Sequence, residues 1–169
     1  LSTDMLAVEL CAALKNAYTI AVGIAQGILE RTGGEDHAAS SMHNLAAALF
    51  GIGASEISRI VSLTGGNPGV VASLSGVGDN YVTCMGGRTI RLGRLLGKGM
   101  RYSQAKDELA GVTLEGAYVL QQLNKTISYW EEKRILFSHE LPLLRWLCQI
   151  ITQDTRAEIP IDKLSMAGC

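Results

Sequence analysis

The sequence predicts an all-α, multi-helical domain, and three observations support this fold class. No segment alternates apolar and polar residues over any length, as a half-buried strand does. Apolar residues instead recur at helical spacing, in segments separated by glycine-rich turns. The chain has 169 residues, of which 47% are hydrophobic and 18% charged. That is enough to bury a core without disulfides or metals, so we treat 1–169 as a single domain.

The first predicted helix is the most apolar part of the chain. Thr3 or Asp4 can cap it, because either side chain can accept a hydrogen bond from the free N–H groups of the first turn. The helical pattern continues to about Glu30 and is apolar on nearly every face. We therefore expect this helix at the centre of the domain. A Gly-Gly pair within 31–36 predicts a loop after it.

Shorter helices are predicted along the rest of the chain. Two of them cover 40–50 and 55–63, and the sequence TGGNP at 64–68 ends the second, because glycine suits a helix end and proline a helix start. Gly76 and Gly78 then precede a helix that starts near Asp79. The later ones are, in chain order, a helix after Arg88, a short helix capped by Ser103 that ends at Leu109, helices over 113–125 and 142–152, and a short segment opened by Pro160.

Composition argues against several classes of function. The formal net charge is −1 and the pI about 6.3, without the basic surplus typical of nucleic-acid-binding domains. The four cysteines form no CxxC pair and have no histidine nearby, so we predict no metal site and free thiols in a reducing cytoplasm. No signal peptide is visible. The longest apolar region, 5–25, contains Glu9, Lys15 and Asn16, so no membrane span is predicted.

Lys15 lies in the middle of this apolar helix, next to Asn16. Burying an ammonium group costs free energy. Such a lysine is therefore paired with an acid, kept for chemistry, or extended to the surface with only its stem buried. The pattern alone leaves these alternatives open.

A second candidate site is the segment GVGDNYVTC at 76–84. Asp79 follows the two glycines as the cap or first-turn residue of a helix, and Thr83, four residues later, shares its face. A plain helix cap would explain Asp79 by itself. The segment is not a dinucleotide-binding fingerprint, because that motif needs a preceding strand.

A third candidate is a series of basic residues with no acid among them. On one helix their spacing would place them on a single face, which is usually a solvated one. Gly86 and Gly87 place the first of them at a helix start, where a guanidinium and free backbone N–H groups can hold a phosphate together. The series consists of Arg88, Arg91, Arg94, Lys98 and Arg101.

Taken together, these segments resemble the C-terminal domain of the NAD(P)-dependent glycerol-3-phosphate dehydrogenases. The resemblance covers most of the chain and keeps the order of the motifs. TDMLAVELCAALKNAYTIAVG at 3–23 resembles the family's catalytic-lysine helix, and GVGDNYVTC its GxGD…T motif. GGRTIRLGRLLGKG at 86–99 resembles its arginine segment, VTLEGAYV at 112–119 its Glu-Gly helix, and LPL at 141–143 its closing helix.

The resemblance implies a fold like the C-terminal domain of 6-phosphogluconate dehydrogenase. It also implies the reduction of dihydroxyacetone phosphate to sn-glycerol 3-phosphate. Lys15 would be the catalytic acid/base, with Asp79 orienting it. The other implied roles are substrate binding by Asn16, Thr83, Arg88 and Thr89, and cofactor binding by Arg88 and Glu115.

Two residues depart from the family pattern. Thr89 stands where the family has an asparagine, and a hydroxyl lacks the reach and second donor of an amide. Asn80 stands where the family has an apolar residue. Both departures concern the substrate-binding end of the domain.

The resemblance also concerns what this chain lacks. The family's first half is a Rossmann-type domain that binds most of the NAD or NADP, and its GxGxxG motif is absent from a chain that begins at Leu1. We therefore expect no dehydrogenase activity from this chain alone. The implied partners are the substrate, the N-terminal domain and a second copy in a homodimer.

Two other interpretations stay open beside the substrate domain described above. The chain could be a non-catalytic dimerisation or binding module derived from such an enzyme. A third possibility is another dehydrogenase with a similar helical domain, such as a ketopantoate reductase, which the GxGD…T and arginine segments fit poorly.

Overall fold

The computed structural model describes residues 2–33 and 36–165. Every regular element in these residues is helical, which confirms the predicted all-α fold. In chain order the elements are α1 (Met5–Arg31), α2 (Asp36–Leu63), a 3₁₀ helix (Pro68–Ala72), a π-helical turn (Leu74–Gly78), α3 (Asp79–Met85), α4 (Arg88–Gly97), α5 (Tyr102–Glu108), α6 (Glu115–Glu132), α7 (Pro142–Gln153) and α8 (Ile161–Ser165).

Helix α1 is the centre of the domain, as its all-round apolar character predicts. Asp4 caps it by accepting a hydrogen bond from the Ala7 N–H at 3.0 Å. The same carboxylate accepts from the N–H of Asn67 at 2.6 Å, which ties the turn after α2 to the start of α1. Helices α2, α3, α4 and α6 all pack against α1. These contacts agree with the predicted central position of α1.

Glycines bring α1 and α4 into backbone contact. Gly23 and Gly27 on α1 face Gly93 and Gly97 on α4. A Cβ atom added at Gly27 would lie 2.1 Å from the carbonyl oxygen of Arg94, and one at Gly97 would lie 2.1 Å from that of Ile24. Only glycine permits so close an approach, since pairs of small residues four apart let helix backbones touch. This contact holds the second half of α4 against α1.

The predicted break between 50 and 55 is wrong, because α2 is one continuous helix. Gly51 and Gly53 lie at the predicted break, but no proline interrupts the hydrogen-bond ladder there, and glycine inside a helix costs only about 1 kcal/mol. Gly53 also faces Tyr18 of α1, since a Cβ atom added at Gly53 would lie 3.1 Å from the tyrosine ring. Tertiary packing therefore overrides the local preference.

The predicted basic face is also partly wrong. Helix α4 stops before Lys98, which is its C-cap, and Gly99 follows with a φ of +102°. Arg101 consequently lies outside this helix, at the start of α5. Both Arg94 and Lys98 form ion pairs with Glu30 of α1, the second at 2.7 Å. Part of the series therefore ties α4 to α1.

Ser103 does not cap α5 as predicted. The backbone N–H and the hydroxyl of Ser103 both donate to the carboxylate of Asp154, each at 2.8 Å. Ser103 is therefore inside the first turn, and the acceptor for that turn comes from a residue distant in sequence. The cap position is held by Arg101, whose backbone N–H donates to the side chain of Gln104 at 2.9 Å.

The closing helices follow the prediction more closely. Helix α7 begins at Pro142 as predicted and α8 follows Pro160, while α6 covers Glu115–Glu132 rather than 113–125. Glu56 of α2 is 5% exposed and accepts hydrogen bonds from the N–H groups of Leu143 and Leu144, at 2.7 and 2.9 Å. Burial raises the pKa of Glu56 to about 7. One buried carboxylate thus caps α7 from another helix.

Two helical segments are long and apolar enough to span a membrane: Met5–Arg31, which is α1, and His43–Leu63, which is the larger part of α2. This match is weak evidence, because a core helix of a globular protein meets the same criteria. Half of the most apolar stretch of α1 is buried inside the domain. Packing against its neighbours accounts for the apolar character of α1.

Candidate functional site

Lys15 and Asp79 form the central pair of the candidate site. The lysine Nζ lies 2.5 Å from Oδ2 of Asp79, although the two residues are 64 positions apart. The Lys15 side chain is 18% exposed and that of Asp79 is 41% exposed. The ammonium group therefore ends in an ion pair at the edge of the core rather than in bulk solvent.

The turn before α3 positions Asp79. Gly76 is buried, and a Cβ atom added there would lie 2.0 Å from the carbonyl oxygen of Val71. Only glycine, which has no Cβ atom, therefore fits at this position. Asp79 then stands in the first turn of α3, where the prediction placed it. Thr83 lies one turn later and donates its hydroxyl to the backbone oxygen of Asp79 at 2.8 Å. Thr83 thus belongs to the same face.

Behind the ion pair lies a buried polar contact that sequence reasoning missed. Thr19 of α1 is fully buried and Asn80 of α3 is 2% exposed. The Thr19 hydroxyl lies 3.2 Å from Oδ1 of Asn80 and 2.9 Å from the backbone oxygen of Lys15. The available signal was Asn80 itself, an amide at a position that the family pattern makes apolar.

Arg88 and Glu115 meet at the start of α4 and α6. The Arg88 guanidinium lies 3.0 Å from the Glu115 carboxylate, and both side chains are about half exposed. Gly87 is the N-cap of α4 with a φ of +111°, and the space beside Gly86 and Gly87 is open. A guanidinium next to the free N–H groups of a helix start suits a phosphate group.

Asn16 and Thr89 lie between these two pairs. A Cβ atom at Gly116 would lie 2.3 Å from the backbone oxygen of Asn16 and 3.0 Å from the methyl group of Thr89. The Thr89 side chain is therefore packed between helices, and the residue is 8% exposed. The Asn16 amide donates only a long hydrogen bond, 3.4 Å, to Ala12 of its own helix. Asn16 therefore keeps hydrogen-bonding capacity for another group.

The seven candidate residues come from four helices that meet around the N-terminal half of α1. The sequence profile of the family described as "NAD-dependent glycerol-3-phosphate dehydrogenase C-terminus" matches residues 4–162, nearly the whole chain.

The chain belongs to this family.

Relatives within the NAD-dependent glycerol-3-phosphate dehydrogenases support the assignment. Glycerol-3-phosphate dehydrogenase [NAD(P)+] of Bacillus subtilis is 31% identical over 167 residues, which are 98% of this chain and 43% of that protein. The enzyme of the same name from Psychrobacter cryohalolentis is 35% identical over 158 residues, 92% of this chain and 32% of that protein. The chain thus spans less than half the length of these relatives.

Solved structures agree with the family's fold. The crystal structure of glycerol-3-phosphate dehydrogenase from Coxiella burnetii matches with a TM-score of 0.73 and 30% identity, over 98% of this chain and 45% of that one. The enzyme from Dunaliella salina, 20% identical, matches with a TM-score of 0.73 over 99% of this chain and 27% of that one, which supports the fold alone.

The domain exposes an apolar face next to Asp79 in the chain. Leu74, Tyr81, Val82 and Met85 are between 58% and 84% exposed. A groove of about 900 Å³ runs along the same elements and is lined in part by Leu74, Asp79 and Val82. Large exposed apolar patches are typical of surfaces that contact another domain or protein.

Within the described part of the chain, no three His, Cys, Asp or Glu side chains come together as metal ligands. Cys11, Cys84 and Cys148 are buried free thiols. Burial raises the pKa of Cys148 to about 12. The fourth cysteine, Cys169, lies outside the described residues.

Proposed function

We propose that this chain is the substrate-binding, lysine-carrying domain of an NAD(P)-dependent glycerol-3-phosphate dehydrogenase. The reaction interconverts dihydroxyacetone phosphate and sn-glycerol 3-phosphate. The observation that carries the proposal is the Lys15–Asp79 ion pair at 2.5 Å, next to Asn16, whose backbone oxygen packs against Gly116 beside Glu115. Family membership supplies the substrate class.

Lys15 acts as the acid/base group at the C2 oxygen. In the reductive direction its ammonium donates a proton to that oxygen as negative charge develops there, and in the oxidative direction its amine accepts the proton back. Asp79 orients the lysine, because its carboxylate lies 2.5 Å from the ammonium group. Asn16 and Thr83 lie beside this pair and offer an amide and a hydroxyl to the substrate hydroxyl groups.

Arg88 binds a phosphate group together with the start of α4. Its half-exposed guanidinium and the open space beside Gly87 fit a phosphate from either the substrate or the cofactor. Glu115 must then either release Arg88 when the phosphate binds, or keep this ion pair and contact the cofactor with its second carboxylate oxygen. Thr89 contributes through packing, since it is 8% exposed.

Bound NADH or NADPH would supply the hydride for the reduction, and NAD or NADP would accept it in the reverse direction; an N-terminal domain outside this chain would hold most of the cofactor. The apolar face of Leu74, Tyr81, Val82 and Met85 supports a domain contact beside the site. The proposal includes a homodimer and a cytoplasmic location. Light scattering on the natural full-length protein tests the homodimer.

Replacing Lys15 in the natural full-length protein tests the proposed chemistry. Lys15→Met keeps the length of the side chain and removes the transferable proton. We expect kcat for dihydroxyacetone phosphate reduction to fall at least about 100-fold, since general acid–base catalysis contributes that much or more. Lys106→Met, at an exposed position on α5, is the matched control and keeps its activity.

Unchanged activity in Lys15→Met would overturn the catalytic assignment. The chain would then be the non-catalytic binding or dimerisation module. Activity on ketopantoate instead of dihydroxyacetone phosphate would move the chain to the other class of dehydrogenase.

A further inference from the structure

Thr19 and Asn80 form a polar contact inside the core, one helical turn behind the candidate site. Thr19 is 0% exposed and Asn80 is 2% exposed. Their side-chain oxygens are 3.2 Å apart, and the Cys84 thiol lies 3.8 Å from the Thr19 hydroxyl. Two polar groups at this depth cost free energy unless they bond to each other.

The contact lies directly under the Lys15–Asp79 ion pair. Thr19 follows Lys15 by four residues and therefore lies on the same face of α1. Asn80 is the residue after Asp79 on α3. The Thr19 hydroxyl also reaches the backbone oxygen of Lys15 at 2.9 Å. One buried network thus joins the backbone at Lys15 to the helix that carries Asp79.

This network restricts how α3 can sit on α1. A hydrogen bond is directional, whereas apolar contacts tolerate sliding of one helix along the other. The Thr19 hydroxyl shares its one hydrogen between the Lys15 backbone oxygen at 2.9 Å and Oδ1 of Asn80 at 3.2 Å. A shift of α3 on α1 would therefore weaken the bond to Asn80, which water cannot replace in the core. A shift of about 1 Å at a catalytic group can cost about 100-fold in rate.

We propose that Thr19 and Asn80 are positioning residues, whose hydrogen bond sets the register of α3 against α1 and so holds the Lys15 ammonium at the Asp79 carboxylate. This inference rests on the proposed function for the role of Lys15 in proton transfer. Neither residue touches the substrate.

Removing the hydroxyl without changing the volume tests the positioning role. In the natural full-length protein, Thr19→Val is expected to lower kcat about tenfold, because α3 could then shift by part of the roughly 1 Å that costs about 100-fold in rate. The KM for dihydroxyacetone phosphate is expected to change less than about twofold, because neither residue touches the substrate. Thr19→Ser retains the hydroxyl and is expected to keep kcat within about twofold. Asn80→Leu, which removes the partner amide, is expected to match Thr19→Val.

A matched control separates positioning from stability. The Thr152 hydroxyl makes the same bond to a backbone oxygen four residues earlier, to Cys148 at 2.8 Å, far from this site in the sequence and on α7. Thr152→Val therefore removes an equivalent local bond and is expected to leave kcat unchanged. A similar loss of kcat in both valine variants, or none in Thr19→Val, would overturn the positioning role.

A second measurement is independent of activity. A crystal structure of each full-length variant gives the distance between Lys15 Nζ and Asp79 Oδ2 directly. We expect these two atoms to move beyond hydrogen-bond distance in Thr19→Val and to stay within it in Thr19→Ser and Thr152→Val. An unchanged distance in Thr19→Val refutes the positioning role. If Lys15→Met leaves activity intact while the distance lengthens in Thr19→Val as expected, the proposed function fails and the structural contact stands.

Discussion

The contact between α1 and α4 predicts opposite effects for the same substitution at two glycines. Gly27 faces the backbone of Arg94, whereas Gly51 of α2 has nothing within 4 Å of an added Cβ atom. Gly27→Ala and Gly51→Ala both add one methyl group and raise helix propensity by about 1 kcal/mol. They differ only in the space that the methyl group enters.

The structure gives the magnitude at Gly27. An added Cβ atom would lie 2.1 Å from the Arg94 oxygen and 2.8 Å from its carbonyl carbon, while ordinary contacts begin at 3.4 Å. The helices would have to separate by roughly 1 Å, and overpacking of this kind costs about 1–3 kcal/mol or more. Because the clash at Gly27 is with backbone atoms, the upper part of that range, about 2–3 kcal/mol, applies. After the gain of about 1 kcal/mol in propensity, we expect Gly27→Ala to destabilise the chain by about 1–2 kcal/mol.

Urea unfolding followed by circular dichroism at 222 nm measures both variants. We expect the free energy of unfolding to fall for Gly27→Ala and to rise by up to about 1 kcal/mol for Gly51→Ala. A Gly27→Ala variant as stable as the wild type would mean that the two backbones are not in contact, and the argument for how α4 is held on α1 would be wrong.

Two other predictions concern carboxylates. Burial raises the pKa of Glu56 from 4.5 to about 7, so the folded state holds its proton more tightly, and the free energy of unfolding should fall by up to roughly 3 kcal/mol as pH rises through that range. Glu56→Gln, which cannot ionise, should remove this pH dependence in urea unfolding; a wild-type-like slope would contradict it. Glu115→Gln should tighten inorganic phosphate binding at Arg88 up to about fivefold, because an exposed ion pair contributes up to about 1 kcal/mol. Calorimetric titration measures the affinity, with Arg88→Gln as the control that loses binding; equal affinities for wild type and Glu115→Gln would exclude competition.

Local signals explain where the helix predictions succeeded. The carboxylate of Asp4 and the ring of Pro142 act within one turn of their own positions, so the starts of α1 and α7 follow from sequence. The break predicted in α2 between 50 and 55 was wrong; Gly51 and Gly53 lie there, and a glycine inside a helix looks like a glycine at its end in the sequence. Ser103 failed for a related reason, since its acceptor, Asp154, comes from a distant segment.

Helical periodicity predicted the fold class and the central place of α1, because it is a local property of the chain. The resemblance of the motifs to one family supplied the set of candidate residues. The tertiary structure alone decided which of these residues meet. Lys15 and Asp79 are brought to 2.5 Å, and Thr19 and Asn80 to 3.2 Å, by the packing of α3 on α1. Such pairings depend on the distance and register between helices, which steric contact at buried glycines and directional hydrogen bonds impose only in the folded state.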